Sequence, residues 1–307
     1  MKSETAEAEL NGIIVVDKPA DITSAAVVAR VKSALGIKKI GHAGTLDPFA
    51  TGLLICLVGR ATRLADFFLH GDKTYQAELR LGINTDTLDV TGTVIRTRAV
   101  DETEMTPAAI ERAINAFQGE QHQRPPAFSA VKHNGKPLYD YARRGVKIDK
   151  PRRRVTISAL SVDAVALPDV RFTVTCSGGT YIRTLAADIG DLLGCGACLN
   201  ALRRTETGGF SINEGISLEA LENIAATAGR TPPLNGMNAA LRQMPGLTVD
   251  EQTAIRIRHG VKLTTLILSS PGGSEKDGVF KVVHQDRLVA IVEKHGAEYR
   301  YRCVFPA

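Results

Sequence analysis

The chain lacks any uninterrupted apolar stretch of about 18 residues, so no helix is expected to cross a membrane. It also lacks the basic start and apolar run of a secretory signal. Residues 1–10 are acidic and polar, with Glu4, Glu7 and Glu9, and are read as a flexible N-terminus on a cytoplasmic protein. Cysteine is scarce and odd in number, five in 307 residues, which favours reduced thiols over a disulfide framework. No Gly-x-x-x-x-Gly-Lys-Ser/Thr occurs, which removes the P-loop, and no Gly-x-Gly-x-x-Gly follows a strand, which removes the dinucleotide fold. The seven histidines are scattered without metal-ligand spacing. Cys195 and Cys198 form one Cys-x-x-Cys pair, but a zinc site needs two further ligands and a thioredoxin-like site needs βαβ surroundings. These two are expected to be small buried hydrophobes. No nucleophile elbow is present either.

Hydrophobic residues make up 44% and charged residues 23%, an ordinary globular balance, and 307 residues suggest two domains. The net charge of +5 is unevenly spread. Residues 1–123 and 155–241 each carry −3, residues 242–307 carry +3, and residues 124–154 alone carry +8. That last stretch holds Arg143, Arg144, Arg152, Arg153 and Arg154, with Tyr139 and Tyr141 among them. Clustered cations favour phosphate, because each neutralised phosphate releases counterions. Charge alone leaves a solvated basic loop equally open.

Residues 12–17 (GIIVVD) and 53–58 read as buried strands, and 75–81 (YQAELRL) alternates as a half-buried strand should. Residues 155–165 and 170–176 read as paired strands around Pro168. Thr23 or Ser24 starts a helix over 25–35, Thr106 and Pro107 start one reaching about residue 117, and further helices are expected over 62–69, 180–193, 217–228 and 249–259. Residues 41–49 (GHAGTLDPF) read as a loop. Strands dominate without strict βαβ alternation. This indicates an α+β fold with a central, mainly antiparallel sheet, followed by a small β-rich module after a boundary near residue 245.

Asp47 lies in that glycine-rich loop, before Pro48. Such an acid is commonly a turn former. A nucleophilic role requires a cation to hold it ionised, and Arg183 is one candidate that spacing alone does not place beside it.

Five segments resemble one family: residues 16–19 (VDKP) with Thr23 and Ser24, residues 41–54 (GHAGTLDPFATGLL), residues 73–77 (KTYQA), residues 124–132 (RPPAFSAVK) with 136–139 (KPLY), and residues 176–190 (CSGGTYIRTLAADIG). The chain is similar to the bacterial TruB family, the tRNA pseudouridine-55 synthases, strongly over 11–215 and more loosely beyond. The resemblance implies a pseudouridine synthase fold over 11–245, a thumb-like RNA-binding insertion at about 124–154, and a PUA-like RNA-binding module over 246–307. It implies isomerisation of one uridine in the T-loop of tRNA, without metal or cofactor, by a monomer that grips the T-arm stem-loop. Asp47 matches the family's catalytic aspartate, Tyr75 the tyrosine that packs on the base, Tyr181 the tyrosine near the sugar, and Arg183 the arginine that pairs with the aspartate. His42, Leu202 and Lys18 match positions on the substrate side, and Arg143, Arg144, Arg152, Arg153 and Arg154 fall in the thumb. Two positions depart from the family pattern: Gly178 stands where Lys is common, and Asp21 where Gly is common. The alternative is a non-catalytic tRNA-binding or tRNA-folding protein.

Overall fold

The computed structural model describes residues 10–146, 148–227, 232–263, 277–296 and 298–306. Its main sheet runs from Ile216–Ser217 at one edge through Gly12–Lys18, Thr51–Val58, Ala197–Thr207, Lys73–Leu81, Asp169–Cys176 and Arg153–Ala166 to Gly119–Gln123 at the other. Pairing is parallel only where Gly12–Lys18 meets Ile216–Ser217 and where Thr51–Val58 meets Ala197–Thr207. The remaining neighbours along this path are antiparallel.

The two halves of the sheet differ in how they are covered, and the sequence shows why. Gly12–Lys18 and Thr51–Val58 are buried on both faces. Ser24–Leu35 and Leu218–Ala226 pack on one side, against Ile14, Val16, Leu54 and Cys56. Residues 59–69 and the C-terminal module cover the other side, against Ile13, Val15, Leu53 and Ile55. A strand covered twice has no polar face, which makes both read as continuous apolar runs. Lys73–Leu81 and Asp169–Cys176 are covered on one face by Pro107–Asn115 and Ile182–Leu192, so their residues alternate.

Several expected elements differ in the structure. Residues 40–43, read as part of a loop, form the strand Ile40–Ala43, antiparallel to Thr51–Val58. The helix expected over 62–69 is a 3-10 turn, Gly59–Leu64, followed by a single α segment, Ala65–Leu69. The helix from Thr106 ends earlier, at Asn115. The helix expected over 217–228 spans Leu218–Ala226, and residue 228 lies outside the described residues. The helix expected over 249–259 spans Glu251–Arg258. Ala197–Thr207, a central strand, was not expected at all. Register shifts between Leu199 and Ala201 and between Arg204 and Glu206 change the phase of its side chains twice, which erases the period-two signal.

One junction positions the site. Thr51–Val58 and Ala197–Thr207 join at two residue pairs, Thr51–Arg203 and Gly52–Arg204. Gly52 has φ +102°, and a Cβ there would lie 2.3 Å from the Arg204 carbonyl oxygen, so only glycine allows the approach. The loop carrying Asp47 leads into this junction. After residue 245, Gly246–Thr248, Gly278–His284, Arg287–His295 and Glu298–Val304 form a separate four-stranded sheet packed by Glu251–Arg258.

Candidate active site

Asp47 is held from both chain neighbours. The Leu46 N–H donates to Ser24 Oγ at 2.9 Å, and Ser24 Oγ donates back to the Leu46 carbonyl at 3.1 Å. On the other side, Lys18 Nζ donates to the Pro48 carbonyl at 2.9 Å and to the Pro19 carbonyl at 2.8 Å. Lys18 was expected to face the substrate. It is instead fully buried and borders neither cavity that Asp47 lines, because its ammonium spans the loop backbone. Burial pulls its pKa down to about 8.

Arg183 projects from the first turn of Ile182–Leu192 and is 4% exposed. Nη2 donates to Asp47 Oδ1 at 3.1 Å, and Nε lies 2.9 Å from Oδ2, a two-point contact. The same guanidinium donates to the Thr87 carbonyl at 2.8 Å and the Phe128 carbonyl at 2.7 Å. Asp89 Oδ2 stands 3.4 Å from Nη1. Asp89 is buried, and its Oδ1 accepts from Thr87 Oγ1, the Thr91 N–H and Thr91 Oγ1. Burial pushes the Asp47 carboxyl up from its ordinary value. Arg183 opposes that rise and Asp89 adds to it.

A cavity of about 280 Å³ opens beside this pair, lined by Asp47, Tyr75, Tyr181, Arg183, Leu202, Lys73, Arg204 and Ser129 among others. Strand parity brings Tyr75 inward. Tyr181 is held through its backbone by Gln123, whose side chain accepts from the Tyr181 N–H at 3.0 Å and donates to its carbonyl at 3.3 Å. Burial raises the pKa of both hydroxyls, opposed at Tyr75 by Arg204 and at Tyr181 by Ser129. A second cavity of about 680 Å³ meets the first at Asp47 and includes Asp21, His42, Tyr139 and Arg143. Burial, reinforced by Arg204, lowers the His42 pKa from 6.5 and favours the neutral ring at neutral pH.

The basic stretch is distributed differently. Arg143 borders the larger cavity and stacks over Tyr139 at 5.3 Å. Arg144 is exposed and does not border either cavity. Arg152 is exposed and bonds the His122 carbonyl. Arg153 and Arg154 open the strand Arg153–Ala166, and Arg154 ion-pairs with Glu120.

The sequence assigns Asp89, Lys73, Arg204, Ser24 and Ser129 no place in the site. Lys73 was legible in principle, because it shares the inward parity of Tyr75. Both departures from the family pattern have local reasons. Asp21 adopts φ +60°, the left-handed conformation that Gly takes freely and Asp tolerates. A Cβ at Gly178 would lie 2.5 Å from the Leu69 carbonyl oxygen, which leaves no room there for lysine in this arrangement.

Two family models match the chain: the N-terminal domain of the TruB family pseudouridylate synthases over residues 32–182, and the C-terminal domain of tRNA pseudouridylate synthase B over residues 183–244. The tRNA pseudouridine synthase B of Burkholderia lata is 45% identical over 285 residues, 93% of this chain and 87% of that protein. That of Geobacter sulfurreducens is 44% identical over 252 residues, 82% of each chain. Among solved structures, a chain of a Cbf5-Nop10-Gar1 complex superposes with a TM-score of 0.72 at 28% identity, covering 96% of this chain and 83% of that one. A chain of an H/ACA RNP bound to a substrate RNA containing 2'-deoxyuridine superposes with a TM-score of 0.72 at 26% identity, covering 96% and 85%.

Proposed function

The chain belongs to the TruB family of pseudouridylate synthases and is a tRNA-modifying isomerase; from this we propose that it converts the T-loop uridine at position 55 to pseudouridine, with Asp47 as the group that attacks the sugar. The observation that carries the reading is the two-point Asp47–Arg183 contact at the wall of a cavity lined by two tyrosines and a leucine. A base stacked inside a folded RNA loop must be extruded, at about a few kcal/mol. Stacking on an aromatic face such as Tyr75 returns roughly 1–3 kcal/mol.

Asp47 as an anion attacks C1′ as the C1′–N1 bond breaks, with the electron pair leaving on the base. The detached uracil turns within the pocket and C5 bonds to C1′ as the Asp47–C1′ bond breaks and regenerates the carboxylate; the C5 proton is then lost and N1 gains one. On an elimination route, Tyr181 takes a sugar proton instead. Arg183 keeps Asp47 anionic against the cost of its burial. Leu202 forms an apolar wall, and His42 borders the space for neighbouring nucleotides. The 124–154 insertion and the module after residue 245 grip the T-arm by phosphate contacts, and the protein acts as a cytoplasmic monomer.

The test uses tRNA tritiated at C5 of uridine. Wild type is expected to release the label from position 55, and Asp47→Asn is expected to release none while still binding. If neither protein releases label and both bind tRNA tightly, the protein is a tRNA-binding or tRNA-folding factor instead.

A further inference from the structure

The Asp47–Arg183 pairing leaves two buried cations of the same cavity unused. Lys73 is 6% exposed and Arg204 is 1% exposed, and both line the pocket with Asp47, Tyr75 and Tyr181. Lys73 Nζ donates to the Gly71 carbonyl at 2.6 Å, the Leu69 carbonyl at 3.0 Å and the Phe68 carbonyl at 3.4 Å. Arg204 donates from Nε to the Leu53 carbonyl at 2.7 Å and from Nη2 to the Gly44 carbonyl at 3.1 Å. These partners are neutral. The pocket's carboxylate, Asp47, and its buried neighbour Asp89 both sit on Arg183. Among the described residues neither Lys73 nor Arg204 has a carboxylate ion pair. The two cations converge on Gly44, three residues before Asp47. A Cβ on Gly44 would lie 3.4 Å from Arg204 Nη1 and 3.7 Å from Lys73 Cε. Burying a cation without a counter-ion is costly, and groups perturbed in this way cluster at functional sites.

We propose that Lys73 and Arg204 form a uracil-anion site, which stabilises the negative charge that moves onto the base when its bond to the sugar breaks. This rests on the isomerase reading. Before the step the charge is on Asp47. As C1′–N1 cleaves, the bonding pair leaves on N1 and spreads over the ring and its two carbonyl oxygens. On the attack route Asp47 becomes neutral as an ester to C1′, and the uracil carries the charge. When C5 bonds to C1′, the Asp47–C1′ ester bond breaks and returns the negative charge to the carboxylate, the C5 proton departs and N1 gains one. The charge thus travels from the Arg183 side of the pocket toward the positive charges of Lys73 and Arg204 in its wall, and fixed charge beside a developing anion contributes strongly to rate. Tyr75, the proposed stacking partner of the base, lines the same cavity as Arg204, whose charge opposes the burial-driven rise of the Tyr75 hydroxyl's pKa, so base and cation are brought to one place. The rival occupant is a backbone phosphate, which would register in tRNA affinity.

The titratable groups facing Lys73 are Arg204 on Ala197–Thr207, Cys176 on Asp169–Cys176 and the preceding Asp72. Burial and Arg204 pull the Lys73 pKa down to about 8, while the Cys176 thiol is pushed up to about 11 and stays neutral there. Single-turnover tritium release and tRNA affinity, measured from neutral to alkaline pH, test the proposal. Wild type is expected to slow as pH rises through about 8 and Lys73 loses its proton. Lys73→Met is expected to lose about 10²–10³ in rate, with affinity changed by less than about threefold. Lys73→Arg keeps its charge at all these pH values and is expected to recover part of the rate and to shrink the alkaline fall to the part contributed by Lys18, which holds the Asp47 loop and also has a pKa of about 8. An alkaline fall identical in wild type and Lys73→Arg overturns the proposal. So does a loss of affinity in Lys73→Met that matches the loss of rate, which would make Lys73 a phosphate anchor. If Lys73→Met does not fold, the alkaline limb of Lys73→Arg decides alone. A wild type that releases no label sinks the isomerase reading instead.

Discussion

At the scale of single residues, the site is a balance of burial against charge. Asp47 is reached by one cation with two contacts and by one like charge, Asp89, on the far side of that cation. Burial raises its pKa above 3.8, Asp89 raises it further, and Arg183 pulls it back. If Asp47 acts as the proposed anionic nucleophile, activity is lost as pH falls through the folded-state value, and a raised value moves that loss to higher pH. The acid limb of the single-turnover rate is therefore expected above pH 3.8. Asp89→Asn removes the like charge and is expected to shift the limb to lower pH. The same change frees Arg183 Nη1 from Asp89, so the plateau rate is expected to fall as well. A pH–rate profile of both proteins checks the two effects together. The sequence shows Asp47 and Arg183 only as separate motifs. Their contact spans 136 positions and exists only because a helix and a loop meet at the sheet junction.

At the scale of elements, periodicity was informative where a strand kept one phase and silent where it did not. Lys73–Leu81 and Asp169–Cys176 hold their alternation over their whole length. Ala197–Thr207 carries Leu202 and Arg204 into the pocket but loses phase at two register shifts, so its strand character was hidden by its own geometry. In the basic stretch, composition counts charge but not its neighbours. The +8 of residues 124–154 already includes Asp149, the partner of Arg124, whereas Arg154 pairs with Glu120 from outside the stretch. Replacing Arg152, Arg153 and Arg154 together by Ala is expected to weaken tRNA binding and to reduce the slope of log affinity against log salt by about two units rather than three, since Arg154 is already neutralised. Binding isotherms at several salt concentrations measure that slope.

At the scale of the whole molecule, the C-terminal segment is built into the catalytic half. Arg63 donates to the Val304 carbonyl at 2.6 Å and lies over the Phe305 ring at 5.4 Å, and Arg60 donates to the Pro306 carbonyl at 3.0 Å. Leu288, Ile291, Cys303 and Phe305 share one apolar cluster with Ile13, Leu53 and Ile55. The strands under the Asp47 loop are therefore buried on their second face by a distant part of the chain. Phe305→Ala is expected to cost about 3–5 kcal/mol. Calorimetry should show one transition at lower temperature, since the cluster spans both parts.

What the sequence determined by itself is what local physics writes: helix starts at Thr23 or Ser24 and at Thr106, strands whose alternation or unbroken apolarity reports the number of covered faces, and the absence of motifs for nucleotide, metal or hydrolase chemistry. It also carried the spaced motifs by which the family was recognised. Only the tertiary structure decided which cations serve which purpose. Lys18 and Lys73 look alike in sequence, yet one supports the Asp47 loop and the other lines the pocket. Among the described residues, Arg183 meets two carboxylates and Arg204 none. The reason is physical. A charged side chain is defined by the dielectric and the partners around it, and those are supplied by segments that share no sequence neighbourhood.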